Sequence, residues 1–136
     1  MSKLNDALLA KINKLRSENG VVPLGIDEEL NTYAGTRSAE AAAKWSHIRP
    51  DGTDGCDIIP DVKWRGENLS YVTFKTSDIS DAMQLKAADI MFEKLKASKS
   101  HYDNLVFASY EKIGIATSVT KTAKGVRLTT AYMFSN

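Results

Sequence analysis

The sequence predicts an α+β domain, and the prediction depends on two patterns of apolar residues. Through most of the chain, apolar residues recur at the spacing of amphipathic helices, with one strand-like segment between the helices. The end of the chain changes to the alternation of β-strands, in Lys112 to Thr120 and Val126 to Phe134. Lys121 to Gly125 is short enough to join these two strands as a hairpin. Helices followed by a hairpin indicate a layered α+β fold.

Two helices are predicted in the N-terminal part of the chain. The first should bury one stripe of apolar side chains, namely Leu4, Leu8, Ile12 and Leu15. It should end at Gly20, and the second helix should begin after Asp27, whose carboxylate can accept bonds from free backbone N–H groups. The apolar face of the second helix should consist of Leu30, Ala34, Ala41 and Trp45. Arg37 and Glu40 are three positions apart, so we expect a weak surface pair.

The middle of the chain is less regular. Turn-forming residues recur from Pro50 to Gly66 and predict a long loop, and long ordered loops are often functional. A short strand is predicted over Leu69 to Phe74. A third helix should follow with Ser77 or Ser80 as its N-cap, and a short fourth helix should contain His101.

Composition excludes several classes of function. The 136 residues are enough for one domain, 1–136, with a real core. A net charge of +1 provides no field to attract nucleic acid, so we expect no nucleic-acid partner. No apolar run approaches the roughly 20 residues of a transmembrane helix.

The single cysteine, Cys56, permits neither an internal disulfide nor a thiolate metal cluster. No secretory segment follows Met1, so we expect a cytosolic protein or a domain without its export signal.

The chain has two histidines, and each lies in a segment that can hold a binding group. His47 follows the second predicted helix and precedes Pro50 to Gly52, which suits a type I turn. His101 is in the predicted fourth helix, and Glu67 lies between the two in sequence. Two imidazoles and a carboxylate are the ligand set of an open zinc site. One hypothesis is therefore that His47 and His101 bind a divalent metal, with Glu67 as ligand, orienting group or base. The other is that these side chains join loop to helix without any metal.

Five stretches, taken in order, resemble motifs of the CAP family (cysteine-rich secretory proteins, antigen 5 and pathogenesis-related proteins), in its compact bacterial, SCP-like form. They are Ile12 to Arg16 with Pro23-Leu24; Leu30 and Ala34 followed by Ser46-His47 and Arg49 to Gly52; Gly66 to Leu69; Ser98 to Leu105; and Ile113 to Ala116. The fourth matches the pattern Ser-x-x-His-x-x-Asn-Leu. Each motif alone is weak, but their order and spacing together make the resemblance specific, and it spans nearly the whole chain.

The resemblance implies an α-β-α sandwich around a small, roughly three-stranded antiparallel sheet. It also implies a cleft lined by two histidines and two acids, of which His47, Glu67 and His101 match directly. For the fourth position, Glu93 is the nearest acid but fits no strict alignment, and Ser98 is the alternative. Through this cleft, the resemblance implies binding of zinc or another divalent cation by His47 and His101.

The implied function is that of a secreted binding or interaction domain, extracellular or associated with the cell wall, and we expect a monomer. On this interpretation Met1 marks the boundary of a cloned domain. The expected partner is a small polar ligand, a lipid, or a host or cell-wall component. One alternative is a metal-assisted hydrolase of peptide or cell-wall material, with Glu67 activating water. Another is a purely structural polar cluster, with function on the outer surface. No enzymatic activity is assigned from the sequence.

Overall fold

The computed structural model describes all 136 residues and consists of a four-stranded sheet between two layers of helices. In chain order the elements are α1 (Ser2–Glu18), β1 (Gly25–Ile26), α2 (Glu28–Ala43), a 3₁₀ turn (Gly55–Ile58), β2 (Arg65–Phe74), α3 (Asp81–Ala97), α4 (Lys99–Leu105), β3 (Lys112–Thr122) and β4 (Gly125–Ser135). The predicted α+β class and sandwich are confirmed. None of the helices combines the length and apolar composition needed to cross a bilayer.

The last strand of the chain occupies the middle of the sheet. The strand order is β1-β3-β4-β2, and β4 pairs antiparallel with both β3 and β2. The prediction of about three antiparallel strands is wrong by one, because β1 adds a short parallel strand beside β3. Only Gly25 and Ile26 take part in this pairing, and two residues are too few to produce an alternating pattern in the sequence.

The sheet separates two apolar cores. One, packed between the sheet and α2, contains Leu30, Leu69 and Met133. The other is larger, and in it α1 and α3 pack against the opposite face of the sheet, where Val72 lies. Because successive strand residues point to opposite faces, β2 directs Glu67 and Leu69 toward α2.

The buried stripe of α1 ends on a charged residue. Leu4, Leu8 and Ile12 are buried as predicted, but Arg16 completes the stripe and Leu15 is only partly buried. The Arg16 guanidinium donates to four backbone carbonyls, those of Val22 (2.7 Å), Leu105 (2.9 Å), Phe107 (3.1 Å) and Tyr110 (3.1 Å). These bonds satisfy the buried side chain and tie α1 to the segment that follows α4.

The predicted starts of α2 and α3 are confirmed, while two other boundaries move. Asp27 caps α2 by accepting from the Leu30 N–H (2.9 Å), and Ser80 caps α3. Trp45 was predicted on the apolar face of α2, but α2 ends at Ala43 and Trp45 lies beyond it, 46% exposed. β2 starts at Arg65, earlier than predicted, so Glu67 belongs to the strand and not to the preceding loop.

Candidate functional site

A buried ion pair joins β2 to α2. Arg37 donates from Nε to Glu67 Oε2 (2.6 Å) and from Nη2 to Glu67 Oε1 (3.1 Å). Only 1% of the Arg37 side chain and 2% of the Glu67 side chain are exposed. Two parallel bonds in a buried setting fix the plane of the carboxylate, because rotating it would leave a charged group unpaired.

His47 is held against this carboxylate. Its Nδ1 is 2.9 Å from Glu67 Oε1, and 54% of its side chain is exposed. The hydrogen bond to Glu67 raises the pKa of His47, because the carboxylate stabilises the protonated ring. With Nδ1 committed to Glu67, Nε2 is the nitrogen left to bind a ligand. A histidine oriented by a carboxylate in this way is the arrangement common among metal-binding histidines.

The loop after α2 is fixed by the same arginine. Arg37 Nη2 also donates to the Ser46 carbonyl (2.9 Å), directly before His47. The His47 carbonyl accepts from the Gly55 N–H (2.7 Å). Gly55 lies so close to the Arg37 and Glu67 side chains that a Cβ at this position would collide with both. The ion pair of Arg37 and Glu67 therefore fixes the position of the backbone around His47.

Glu40 forms a second set of ion pairs next to this loop. Its carboxylate accepts from Arg37 Nη1 (2.8 Å) and from Arg49 Nε (3.0 Å). The predicted turn forms next to it, with the Gly52 N–H donating to the Arg49 carbonyl (2.9 Å). The predicted pairing of Arg37 with Glu40 is confirmed, but its location at the surface is wrong, because Arg37 is fully buried.

His101 reaches the site from the other side of the sheet, on α4. Its backbone carbonyl accepts from Asn68 Nδ2 (3.1 Å), and Asn104 Nδ2 donates to Asn68 Oδ1 (2.9 Å). These amide contacts anchor α4 to β2. Burial, and to a smaller extent the charge of His47, lower the pKa of His101. The pKa values of the two histidines are therefore shifted in opposite directions, that of His47 upward and that of His101 downward.

Both histidines line one cavity of about 230 Å³, which adjoins a second of about 270 Å³. The two cavities share Trp45, Leu69 and His101 among their lining residues, so we describe them together as the histidine cleft. Its lining consists of Trp45, Ser46, His47, Leu69, Ser70, Tyr71, Lys94, Leu95 and His101. Together the cavities fall within the size range of small-ligand sites, about 300–1,000 Å³.

The remaining predicted site residues lie outside the cleft. Glu93 is on the exposed side of α3 and pairs with Lys96 (3.3 Å). Ser98 lies between α3 and α4, where its carbonyl accepts from the Tyr102 N–H (2.8 Å). Cys56 is in the 3₁₀ turn, and burial raises the pKa of its thiol to about 11. The reactive thiolate is therefore scarce at neutral pH.

The donors present fit a metal ion only as a pair of imidazoles. No group of three or more His, Cys, Asp or Glu side chains is arranged to hold a cation. Both Glu67 oxygens already accept bonds, from Arg37 and His47, so Glu67 orients His47 and is not free as a third ligand. The residues that would hold a divalent cation are His47, through Nε2, and His101, and water would fill the other positions.

Comparison with known families decides which class of protein carries this cleft. A model of the CAP, or cysteine-rich secretory protein, family matches residues 9–133. The chain belongs to the CAP family. The stretches that resembled CAP motifs supply both histidines of the cleft and the carboxylate behind it: His47 follows α2, Glu67 lies on β2 and His101 lies on α4. No curated protein matches the sequence.

Solved structures show the same fold at low sequence identity. An outer surface protein from Borrelia burgdorferi is 18% identical with a TM-score of 0.67, and the match covers 95% of this chain and 89% of that protein. An extracellular SCP-domain protein from Bacillus anthracis is 16% identical with a TM-score of 0.72. The match covers 98% of this chain but 40% of the Bacillus protein.

A third similar structure is that of NaASP2, determined with Zn²⁺. It is 15% identical to this CAP domain with a TM-score of 0.64, and the match covers 97% of this chain and 80% of NaASP2. At these identities the likeness concerns the fold.

Arg37 is the site residue that the sequence analysis did not identify. Its spacing to Glu40 indicated an ordinary surface pair, which is the common outcome for such charges. The available signal was its position on α2 between Ala34 and Ala41, both fully buried, because a charged residue on that face needs a buried partner. The sequence did not indicate that Glu67 was this partner.

Proposed function

We propose that this CAP domain is a binding domain whose histidine cleft holds a divalent cation or a small polar ligand outside the cell. The observation that carries the proposal is the chain of contacts from Arg37 through Glu67 to His47. Burying an ion pair is energetically demanding, and this pair is arranged to present one oriented imidazole at an open cleft. His101 lines the same cavity and provides a second nitrogen ligand.

A bound cation would supply a positive charge with open coordination positions for an anionic or carbonyl group of a ligand. The protein's own part is to keep His47 Nδ1 on Glu67, which fixes the ring's orientation and leaves Nε2 for binding. The Zn²⁺ in the NaASP2 structure supports the metal part of this proposal. With only two protein ligands, we expect weak and exchangeable binding.

The extracellular setting is proposed from relatives. The proteins from Borrelia and Bacillus are described as outer surface and extracellular proteins. Because the chain corresponds to 40% of the Bacillus protein, the proposal concerns the domain and not the activity of a larger protein.

The contacts do not support the hydrolase, and they support a structural role for His47 alone, through its bond to Glu67. A hydrolase with Glu67 as base needs a carboxylate oxygen that faces bound water, and both oxygens are engaged beneath His47. A purely structural role for both histidines predicts that replacing either one lowers the melting temperature in metal-free buffer. The His101 ring makes no side-chain hydrogen bond, and only its backbone carbonyl is used to hold α4.

The test is calorimetric titration of zinc into protein stripped of metal with a chelator. We expect one saturable site in the wild type and loss of binding in both His47→Ala and His101→Ala. Glu93→Gln is the matched control, because this carboxylate is exposed outside the cleft and should leave the titration unchanged.

Circular dichroism and melting temperatures establish that each variant is folded. Zinc binding that survives both histidine replacements would contradict the metal site. Absence of saturable binding in folded wild-type protein would contradict it as well, and the search would turn to small polar ligands and surface partners.

A further inference from the structure

The outer edge of β2 borders the histidine cleft and is not paired with another strand. β2 pairs only with β4, on its other side. Two β2 carbonyls instead accept from side chains beyond the sheet: Glu67 O from Asn104 Nδ2 (3.3 Å) and Tyr71 O from Lys94 Nζ (3.4 Å). The N–H and C=O of one strand residue point to the same edge, and they alternate along the strand. Leu69, midway between these two residues, therefore presents its backbone N–H and C=O to the cleft.

Leu69 contributes to both cavities although its side chain is nearly fully buried in the core beside α2. Natural sheets cover, twist or charge their free edges, because an open edge is a template for pairing with another chain. Here the edge at Leu69 opens onto a cavity with Trp45 on one side and Leu95 on the other. The open edge and the cavity together form a slot for an extended chain.

We propose that the histidine cleft binds an extended, acidic peptide, which pairs with the β2 edge at Leu69 as an added strand. This inference rests on the proposed function, because it takes the same cleft to be the binding site, and it adds the class of partner. Main-chain bonds to Leu69 supply affinity, and the side chains of the added strand supply selectivity.

The charge of the cleft indicates an acidic partner. Among its lining residues are one lysine, Lys94, and two imidazoles, and there is no carboxylate. The charge of Glu67 is paired with Arg37 behind the lining. Another cation, Arg127, lies with Cζ 4.3 Å from the centre of the Tyr71 ring. An acidic side chain in the cleft thus meets the Lys94 ammonium, two imidazoles that can donate hydrogen bonds, and no competing carboxylate.

Two exposed aromatic rings indicate where apolar side chains of the peptide would lie. Trp45 and Tyr71 meet edge to face at 4.8 Å between ring centres, and both are more than a third exposed. Exposed aromatic surface next to a free strand edge suits the alternate side chains of an added strand. The partner should therefore alternate apolar residues, over the aromatic pair, with acidic residues directed toward Lys94.

The probe is the pentapeptide Val-Glu-Val-Glu-Val-amide with fluorescein attached to its N-terminal nitrogen, titrated in buffer containing EDTA so that metal makes no contribution. Saturable binding is expected. Methylation of the central peptide nitrogen should weaken it by at least about tenfold, because it removes a ladder donor and obstructs the edge. Replacing both glutamates by lysines should also weaken binding.

Lys94→Gln should weaken binding of the acidic peptide by about two- to fivefold, the value of one exposed charge pair. Lys86→Gln is the matched control, since Lys86 is an exposed lysine of the same helix that does not line the cleft. Its affinity for the peptide should equal that of the wild type.

Amide hydrogen exchange followed by NMR locates the contact. The Leu69 amide should exchange faster than those of Asn68 and Ser70 in the free protein, and saturating peptide should slow it. Equal binding of the methylated peptide would overturn the inference, as would no binding up to millimolar concentration or a Leu69 amide that peptide leaves unchanged. Zinc and peptide are titrated separately. The peptide result can therefore be interpreted even if zinc does not bind, and the zinc result can be interpreted even if the peptide does not bind.

Discussion

Arg37 contacts three acceptors, Glu67, Glu40 and the Ser46 carbonyl, from a side chain that is almost entirely buried. Arg37→Met should lower the free energy of unfolding by about 3–5 kcal/mol, because it leaves the Glu67 carboxylate buried without its partner. Glu67→Leu should have an effect of similar size for the same reason. Urea unfolding of each variant measures these losses.

The double variant Arg37→Met/Glu67→Leu should be more stable than the sum of the single losses indicates, because it removes both charges together. Arg49→Met serves as a control. Arg49 pairs with Glu40 in a partly exposed position, so its loss should be at most about 1 kcal/mol. Strictly additive effects of Arg37→Met and Glu67→Leu would show that the pair is not coupled.

His47 should make the stability of the protein depend on pH. Its pKa in the folded protein is raised above the ordinary 6.5, mainly by the hydrogen bond to Glu67. The folded state therefore favours the protonated ring, and the resulting stability is complete below the unfolded pKa and lost as pH rises through the raised folded pKa. His47→Gln should be less stable than the wild type in acid, and the difference should shrink at alkaline pH.

Urea unfolding of both proteins across this pH range, in metal-free buffer, measures that difference. The lowered pKa of His101 acts with the opposite sign, but His101 is present in both proteins, so its own effect largely cancels in the comparison. A difference that grows with rising pH would contradict the assigned role of Glu67.

Among the elements, α2 and β3 are in tight contact at Gly114. A Cβ at this position would collide with the backbone of Leu30 and Asn31. Gly114→Ala should therefore destabilise the protein by about 1–3 kcal/mol or more, since the backbone cannot move aside as a flexible side chain does. Gly35, on α2, is the matched control, because a Cβ there meets nothing within 4 Å.

Gly35→Ala should stabilise the protein by about 0.5–1 kcal/mol, since glycine is a poor residue for a helix interior. Thermal unfolding of the two variants should thus move the melting temperature in opposite directions. A Gly114→Ala protein as stable as the wild type would mean that α2 can shift away from β3.

The sequence could predict those elements whose signals are local. Asp27 and Ser80 start helices because their side chains accept bonds from N–H groups three positions on, and this depends on neighbouring residues only. The burial of Arg37 depends on Glu67, thirty positions away, and no local pattern reports such a partner. Trp45 was misassigned because the helical spacing continues in the sequence beyond Ala43, where the helix itself ends.

For the molecule as a whole, the resemblance to CAP proteins predicted the layers and brought His47, Glu67 and His101 to one place. Composition and spacing alone predicted the α+β class but no contact between these residues, since His47 and His101 approach from opposite faces of the sheet. Glu93 and Ser98 were candidates chosen by proximity in sequence. Glu93 lies on α3 and Ser98 at the end of α3, and both are outside the cleft.

The central position of β4 has a consequence for the order of folding. Both β2 and β3 find their antiparallel partner only in the last eleven-residue strand, Gly125–Ser135. During synthesis, which proceeds from the N-terminus, the helices can form early, while the sheet must wait until nearly all of this domain has been made. The pairing of β2 with β4 also closes a loop of more than fifty residues, which slows assembly by its entropic cost. The nascent domain therefore stays open until its final strand is made, and the cleft, built on β2, is among the last features to form.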